Sequence, residues 1–374
     1  MPIYRKIDPT TPEGVRTLRR LVELRAQLDR DVPAKNDEQI LLATWNIREF
    51  DSNAYGARVP EAMNYIAEIV SRFDIIAVSE VRSDLKALHA LMSLLGSRWD
   101  VVLTDVTSGK AGNSERIAVL YDSAKVRFGG LAGELVIPPI RTTDDNGKAM
   151  VVPSSQFART PLLAGFKAGW VDFMLAVVHI RWGDGHDDPR AEVEQLVDQL
   201  SEKADDKYSW SRNIVAIGDF NIGATSDAAF DALRDHGWVI PPDYVTGIEG
   251  TNIAQNKFYD QIAVRPRPGY FEIAECDGKP SAGVVNFYET VFQPFADFEE
   301  YVPLMKTVKP TATRSNFTFD SDGERRDRTS QERWYRNFWR THQMSDHLPL
   351  WAALRIDNSD DFLRGRLDSQ LPPN

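Results

Sequence analysis

Apolar positions recur along the chain with two periods, and the alternation between them sets out its elements. Over residues 10–31, Val15, Leu18, Leu21, Val22 and Leu28 fall roughly along one helical face. Thr10 or Thr11 is placed to cap that helix, and Pro12 stands in its first turn. A strand is predicted at "ILLATW", and a helix starting at Pro60 carries Met63, Ile66, Val70 and Phe73. "DIIAVSE" follows as a buried strand, then a helix with Leu85, Leu88, Met92 and Leu95. Further strands are predicted at "RIAVLYD", "PLLAGFKA", "VDFMLAVVHI", "NIVAIGDF", "YDQIAV" and "LPLWAAL", with a helix through Val193, Leu196, Val197 and Leu200. Many strands with helices between them predict an α/β or α+β sandwich. Residues 141–150 and 321–330 read as polar loops, and the chain beyond about residue 358 as a loosely held tail.

The strands share a second pattern, of polar residues at their ends. Asn46, Glu80, His179, Asp219 and Asn221 stand at or just past the ends of strands, whereas Glu115, Asp260, Asp346 and His347 stand at the beginnings of others. Antiparallel neighbours bring the end of one strand beside the start of the next, so these groups can meet on one rim. Any one of them alone reads as a turn former. Together they are the residue types that bind hard cations and move protons.

In order along the chain, "TWNIR", "SEVR", "SERIAVLY", "FARTPLLAGF", "VVHIRWGD", "IGDFNIG", "FYDQIAV" and "SDHLPLW" resemble the signature blocks of the endonuclease/exonuclease/phosphatase superfamily, over roughly residues 39–355. The resemblance implies a four-layer sandwich of the deoxyribonuclease I kind, two packed and mostly antiparallel β-sheets flanked by helices. It also implies a divalent-metal phosphodiesterase site at one end of the sheets. Asn46, Glu80 and Asp346 match the residues that surround the metal, expected to be Mg²⁺ with Mn²⁺ able to substitute, because hard cations favour oxygen ligands. Asp219 would orient or deprotonate the attacking water, with Asn221 holding the water or a phosphate oxygen. His347 would face the scissile phosphate, supported by Asp260, and His179 would pair with Glu115. Arg82 and Arg159 match phosphate-facing arginines, and Thr251 is a further phosphate-binding candidate.

Composition narrows the setting. The single cysteine, Cys276, excludes an internal disulfide. The first residues lack the apolar stretch of a secretory signal, and no apolar run approaches the length that spans a bilayer. A cytoplasmic protein with no membrane association is expected. The net charge of −11 speaks against a general electrostatic grip on nucleic acid but leaves room for a local basic groove. Three parts are expected: an N-terminal helical extension at 1–38, the catalytic domain at 39–358, and a C-terminal tail at 359–374. The extension is a weak candidate contact for a protein partner and suits packing on its own domain better.

The leading expectation is an intracellular nuclease cutting DNA, or RNA, by in-line attack of an activated water. A phosphodiesterase or phosphatase of a small or lipid phosphate ester is the enzyme alternative, and a binding protein that kept the fold without catalysis is the third. One departure from compact relatives is an insertion at about 266–340. There Trp334, Tyr335, Phe338 and Trp339 form one predicted helical stripe and Arg333, Arg336 and Arg340 another. The aromatics would pack down, with the arginines either solvated or set on the phosphates of a nucleic acid leading into the site.

Overall fold

The computed structural model describes residues 2–50, 55–106, 115–144, 147–154, 156–181, 189–247, 249–276, 278–309 and 316–368. Its strands are β1 (Gln39–Phe50), β2 (Ile75–Arg82), β3 (Trp99–Leu103), β4 (Glu115–Asp122), β5 (Arg127–Glu134), β6 (Ile140–Thr143), β7 (Ala149–Val152), β8 (Leu162–Ala168), β9 (Val171–His179), β10 (Ile214–Asp219), β11 (Asp260–Val264), β12 (Ala282–Val284) and β13 (Leu350–Arg355). The first sheet runs β12-β13-β1-β2-β4-β3 and the second β11-β10-β9-β8-β5, with β6 and β7 forming a separate hairpin. Pairing is antiparallel except for β1 with β2 and β9 with β10, so each sheet is mixed around one parallel pair.

Period-two alternation assembles the layers. Along β1, Ile40 and Leu42 belong to the core shared with the second sheet, whereas Leu41, Ala43 and Trp45 belong to a core on the opposite face. β2 divides likewise, with Ile75 and Ala77 inward between the sheets and Ile76 and Val78 outward. That outer face is covered by helices α1 (Pro12–Asp31), α2 (Pro60–Val70) and α3 (Lys86–Leu95). The second sheet is covered by α4 (Pro189–Asp205) and α5 (Ala228–Asp235) through Val193, Leu196, Phe230 and Leu233. The result is the expected four-layer sandwich, two mixed sheets flanked by helices.

Several details differ from the sequence reading. Thr11 caps α1, its Oγ1 accepting from Gly14 N at 3.1 Å, but the helix packs through Thr17, Leu21, Leu24 and Leu28. Val15, Leu18 and Val22 face solvent, because the 17-21-24-28 row tracks the helical repeat more closely than the predicted one. Arg16 and Arg25 tie α1 to α2 through Glu61 and Glu68. Within the predicted loop at 141–150, β6 and β7 pair from Ile140 with Val152 to Thr143 with Ala149; residues 145–146 lie outside the described residues. The predicted loop at 321–330 gives way to α8 (Arg328–Trp334), after the intervening α6 (Pro242–Thr246) and α7 (Phe298–Met305). The predicted tail forms α10 (Ser359–Asp368), a helix with no buried residue, and residues 369–374 lie outside the described residues. No helix among the described residues is long and apolar enough to cross a membrane.

The aromatic helix is also corrected. α8 continues through a π turn (Tyr335–Trp339) into α9 (Arg340–Gln343). In that turn residues five apart share a face, so Trp334 and Trp339 are buried together, as are Tyr335 and Arg340. Phe338, predicted to pack, is exposed. Arg340, predicted to be solvated or on a phosphate, is buried with its guanidinium 4.1 Å from the centre of the Tyr288 ring and Nη1 donating to Phe292 O at 3.2 Å.

Candidate active site

Strand register sets the rim. On the second sheet Asp219, the last residue of β10, is level with His179 of β9 on one side and Asp260 of β11 on the other. On the first sheet Asn46 is level with Ser79, one residue before Glu80, and Arg82 is level with Glu115. Gly218 is required where β10 closes on β9, since its φ is +136° and a Cβ there would stand 2.0 Å from Val178 O. Three side-chain-bearing residues at the rim, Glu49, Glu80 and Asn221, have φ of 42°, 60° and 52°. Such left-handed residues are costly and cluster where a side chain must be re-aimed. Glu80 owes its position to a bulge between Val78 and Val81 in the pairing of β2 with β4.

Asn46 joins the two sheets. Its Nδ2 donates to Glu80 Oε1 and to Asp219 Oδ2, both at 3.0 Å. The same Asp219 oxygen lies 3.7 Å from His179 Nε2 and 3.9 Å from His347 Nε2. His179 Nδ1 is 3.4 Å from Glu115 Oε2, and Arg159 Nε is 3.3 Å from that oxygen. Arg82 spans Glu49 at 3.6 Å and Glu115 at 4.0 Å. Asn221 is folded back, its N donating to Asp219 Oδ1 at 3.0 Å and its Nδ2 to Ile180 O at 2.7 Å.

His347 is held from several sides. Its Nδ1 lies 2.8 Å from Asp260 Oδ2, and its carbonyl accepts from Trp45 Nε1 at 2.9 Å. Ser345 Oγ accepts from His347 N at 3.0 Å and donates to Asn46 O at 2.6 Å, fixing the segment against β1. Burial alone would lower the imidazole pKa, but the carboxylates of Asp260, Asp219 and Asp346 outweigh it and hold His347 well above the usual histidine value. For Glu115 burial works upward, yet His179, Arg159 and Arg82 prevail and keep its carboxyl below the usual range.

Thr251 is not where a phosphate ligand belongs. It is fully buried, its Oγ1 accepts from Asp260 N at 3.1 Å, and its carbonyl accepts from Leu348 N at 2.6 Å. Its position behind Asp260 and His347 makes it a support for that pair. The other expected residues share one rim, and Glu80, Arg82, Glu115 and Asp346 line a common cleft with Arg48 and Glu49. Sequence reasoning missed Arg48 and Ser345. Each lies within a signature block, but its use shows only in the fold: Ser345 Oγ bridges Asn46 O and His347 N, whereas Arg48 Nη1 donates to Thr341 Oγ1 at 2.6 Å and its Nε lies 3.6 Å from Asp346 Oδ2.

Among the described residues no three His, Cys, Asp or Glu side chains converge as a metal cluster. Mg²⁺ does not need one, since it keeps several waters and takes one or two carboxylates with other oxygens. The all-oxygen set of Glu80, Asp346 and Asn46 fits such an ion. Asn46 Oδ1 in particular is buried with no hydrogen-bond partner.

The chain is similar to several known proteins. A deoxyribonuclease of Thioalkalivibrio sp. is 28% identical over 197 residues, 51% of this chain and 48% of that protein, so the match spans about half the length of each. The human Nocturnin catalytic domain superposes with a TM-score of 0.52 at 12% identity, covering 88% of this chain and 97% of that one. A mannosyl-6-phosphatase of Bacteroides thetaiotaomicron superposes with a TM-score of 0.50 at 17% identity, covering 84% of this chain and 99% of that one. At such identities the structural likenesses establish the fold alone. A sequence model of the endonuclease/exonuclease/phosphatase family matches residues 43–368, and the chain belongs to that family.

Proposed function

We propose that the protein is a divalent-cation-dependent phosphodiesterase that hydrolyses nucleic acid, DNA in the first place, inside the cell. The observation that carries this reading is Asp219 Oδ2, which has the Asn46 amide at 3.0 Å and both rim histidines within 4 Å. A carboxylate so placed can orient an attacking water and take its proton beside two groups suited to a phosphate. In this scheme His347, kept as imidazolium with Asp260 fixing its Nδ1, donates to a non-bridging phosphate oxygen. His179, oriented by Glu115, donates to a second, and Asn221 steadies the water. Arg82 and Arg159 hold the phosphates flanking the scissile one. Glu80, Asn46 and Asp346 would hold Mg²⁺ or Mn²⁺. The ion, when bound, supplies positive charge against the phosphate oxygens and the leaving oxygen. The deoxyribonuclease relative supports a nucleic-acid substrate over a small ester.

The test is hydrolysis of plasmid, single-stranded DNA, RNA and bis-p-nitrophenyl phosphate, with Mg²⁺ and with chelator. Nucleic acid is expected to be cut with Mg²⁺ and spared with chelator. Glu80→Ala and His347→Ala should each slow cutting by at least about 100-fold, the usual contribution of such groups. Turnover of the small ester with every nucleic acid left intact would remove the nuclease assignment.

A further inference from the structure

Beside the cleft, the inserted helix turns part of its aromatic face outward. Arg48, a cleft residue, has its guanidinium carbon 5.5 Å from the centre of the Tyr55 ring. The Tyr55 ring lies 5.9 Å from that of Phe338, at an interplanar angle of 34°. Phe338 is 38% exposed, whereas Trp334, Tyr335 and Trp339 of the same helix are buried. Two residues before it, Arg336 lies 5.0 Å over the ring of Phe295, which is 73% exposed. The π turn produces this division, since it sets the five-apart pairs inward and leaves Phe338 facing out. Arg48, Tyr55 and Phe338 therefore form a continuous arginine–aromatic surface leading away from the cleft, while Arg336 and Phe295 pair on another side of the helix, since residues two apart do not share a face.

We propose that this surface is a stacking track for single-stranded nucleic acid. A nucleotide beside the scissile phosphate lays its base against Phe338 and Tyr55, while Arg48 faces the adjoining phosphate. The inference rests on the nucleic-acid reading of the cleft and narrows it to a single strand or a frayed end. Only an unpaired base can present its face to a ring, because bases in a duplex are already stacked on their neighbours. Stacking is tolerant of sequence and is worth about 1–3 kcal/mol per base. That agrees with a surface that offers rings and a guanidinium group. Arg48 belongs to both the cleft and the track, so a strand bound along the track passes the reacting phosphate.

The experiment compares kcat/KM of the full chain, with Mg²⁺, on a fluorogenic 15-mer single strand, the matching duplex and bis-p-nitrophenyl phosphate. The wild type is expected to prefer the single strand. Phe338→Leu, which keeps apolar bulk but removes the ring, should lower single-strand cleavage by about 10-fold. The loss should be at least fivefold larger on the strand than on the ester, and Phe338→Trp should retain cleavage. Single-strand cleavage by F338L within twofold of wild type would overturn the track while leaving the nuclease reading intact. So would a wild-type preference for duplex, or equal losses on strand and ester, which would mark damage to the helix. Ester turnover without any nucleic-acid cleavage by the wild type would instead overturn the nuclease reading itself.

Discussion

The charge on His347 is decided by its neighbours. Burial disfavours the imidazolium, and the carboxylate of Asp260, 2.8 Å from Nδ1, is the largest influence opposing it. The sign of the pH dependence follows. A step that needs imidazolium is available below the pKa of the folded protein and fails as pH rises through it, so the raised pKa carries activity above the ordinary histidine range. Asp260→Asn removes the chief neighbouring charge and leaves the burial. The alkaline limb of kcat/KM should therefore move to lower pH in D260N, as a profile from pH 5 to 10 would show. A limb that stayed in place would belong to a group other than His347. These residues were legible in the sequence because each stands at a strand end, where register does the positioning. Arg48 and Ser345 were not, since their partners Thr341 and Asn46 O are reached only once the inserted helix is folded against β1. Thr251 was misassigned for a related reason: its spacing to Asp260 is visible in the chain, but the direction of its side chain is not.

Legibility differed among the elements as well. Strands buried on both faces, such as β1, β2, β9 and β10, are continuous apolar runs and stand out in the chain. β5 is exposed along much of its length and contains two consecutive glycines, and β6 and β7 are exposed throughout, so neither period nor composition marks them. α1 was found, but its buried row was not, because Thr17 takes a core place that a reading of apolar spacing reserves for hydrocarbon. What fastens α1 is partly ionic. Arg16 Nη2 and Nε donate to the two oxygens of Glu61 at 2.7 and 2.9 Å, where Glu61 is 5% exposed. Removing one partner of a buried pair strands the other, which typically costs 3–5 kcal/mol. Because Glu300 still lies 3.8 Å from Arg16 Nε, Glu61→Ala is expected at the lower end, about 3 kcal/mol. A lowered urea midpoint with an unchanged slope would show it. A loss under about 0.5 kcal/mol would mean that apolar packing alone holds the helix.

At the scale of the whole molecule, the cleft lies where the rims of the two sheets meet, and Asn46 spans them. A chain of net charge −11 can bind a polyanion only where arginines gather locally. Around the cleft these are Arg48, Arg82 and Arg159, set among Glu49, Glu80, Glu115 and Asp346, whose charge a bound cation would offset in part. This limits the number of phosphates these arginines can neutralise to about three. Each phosphate contact on a single strand contributes about −0.7 to the slope of log affinity against log salt. The slope expected from titrations between about 50 and 300 mM salt is therefore about −2. A slope of about −6 or steeper would require a second basic surface, away from the rim, and would place most of the binding energy outside the cleft. A slope near about −2 would confine the electrostatic contact to the cleft and its flanks, leaving the rest of the affinity to contacts that salt does not screen.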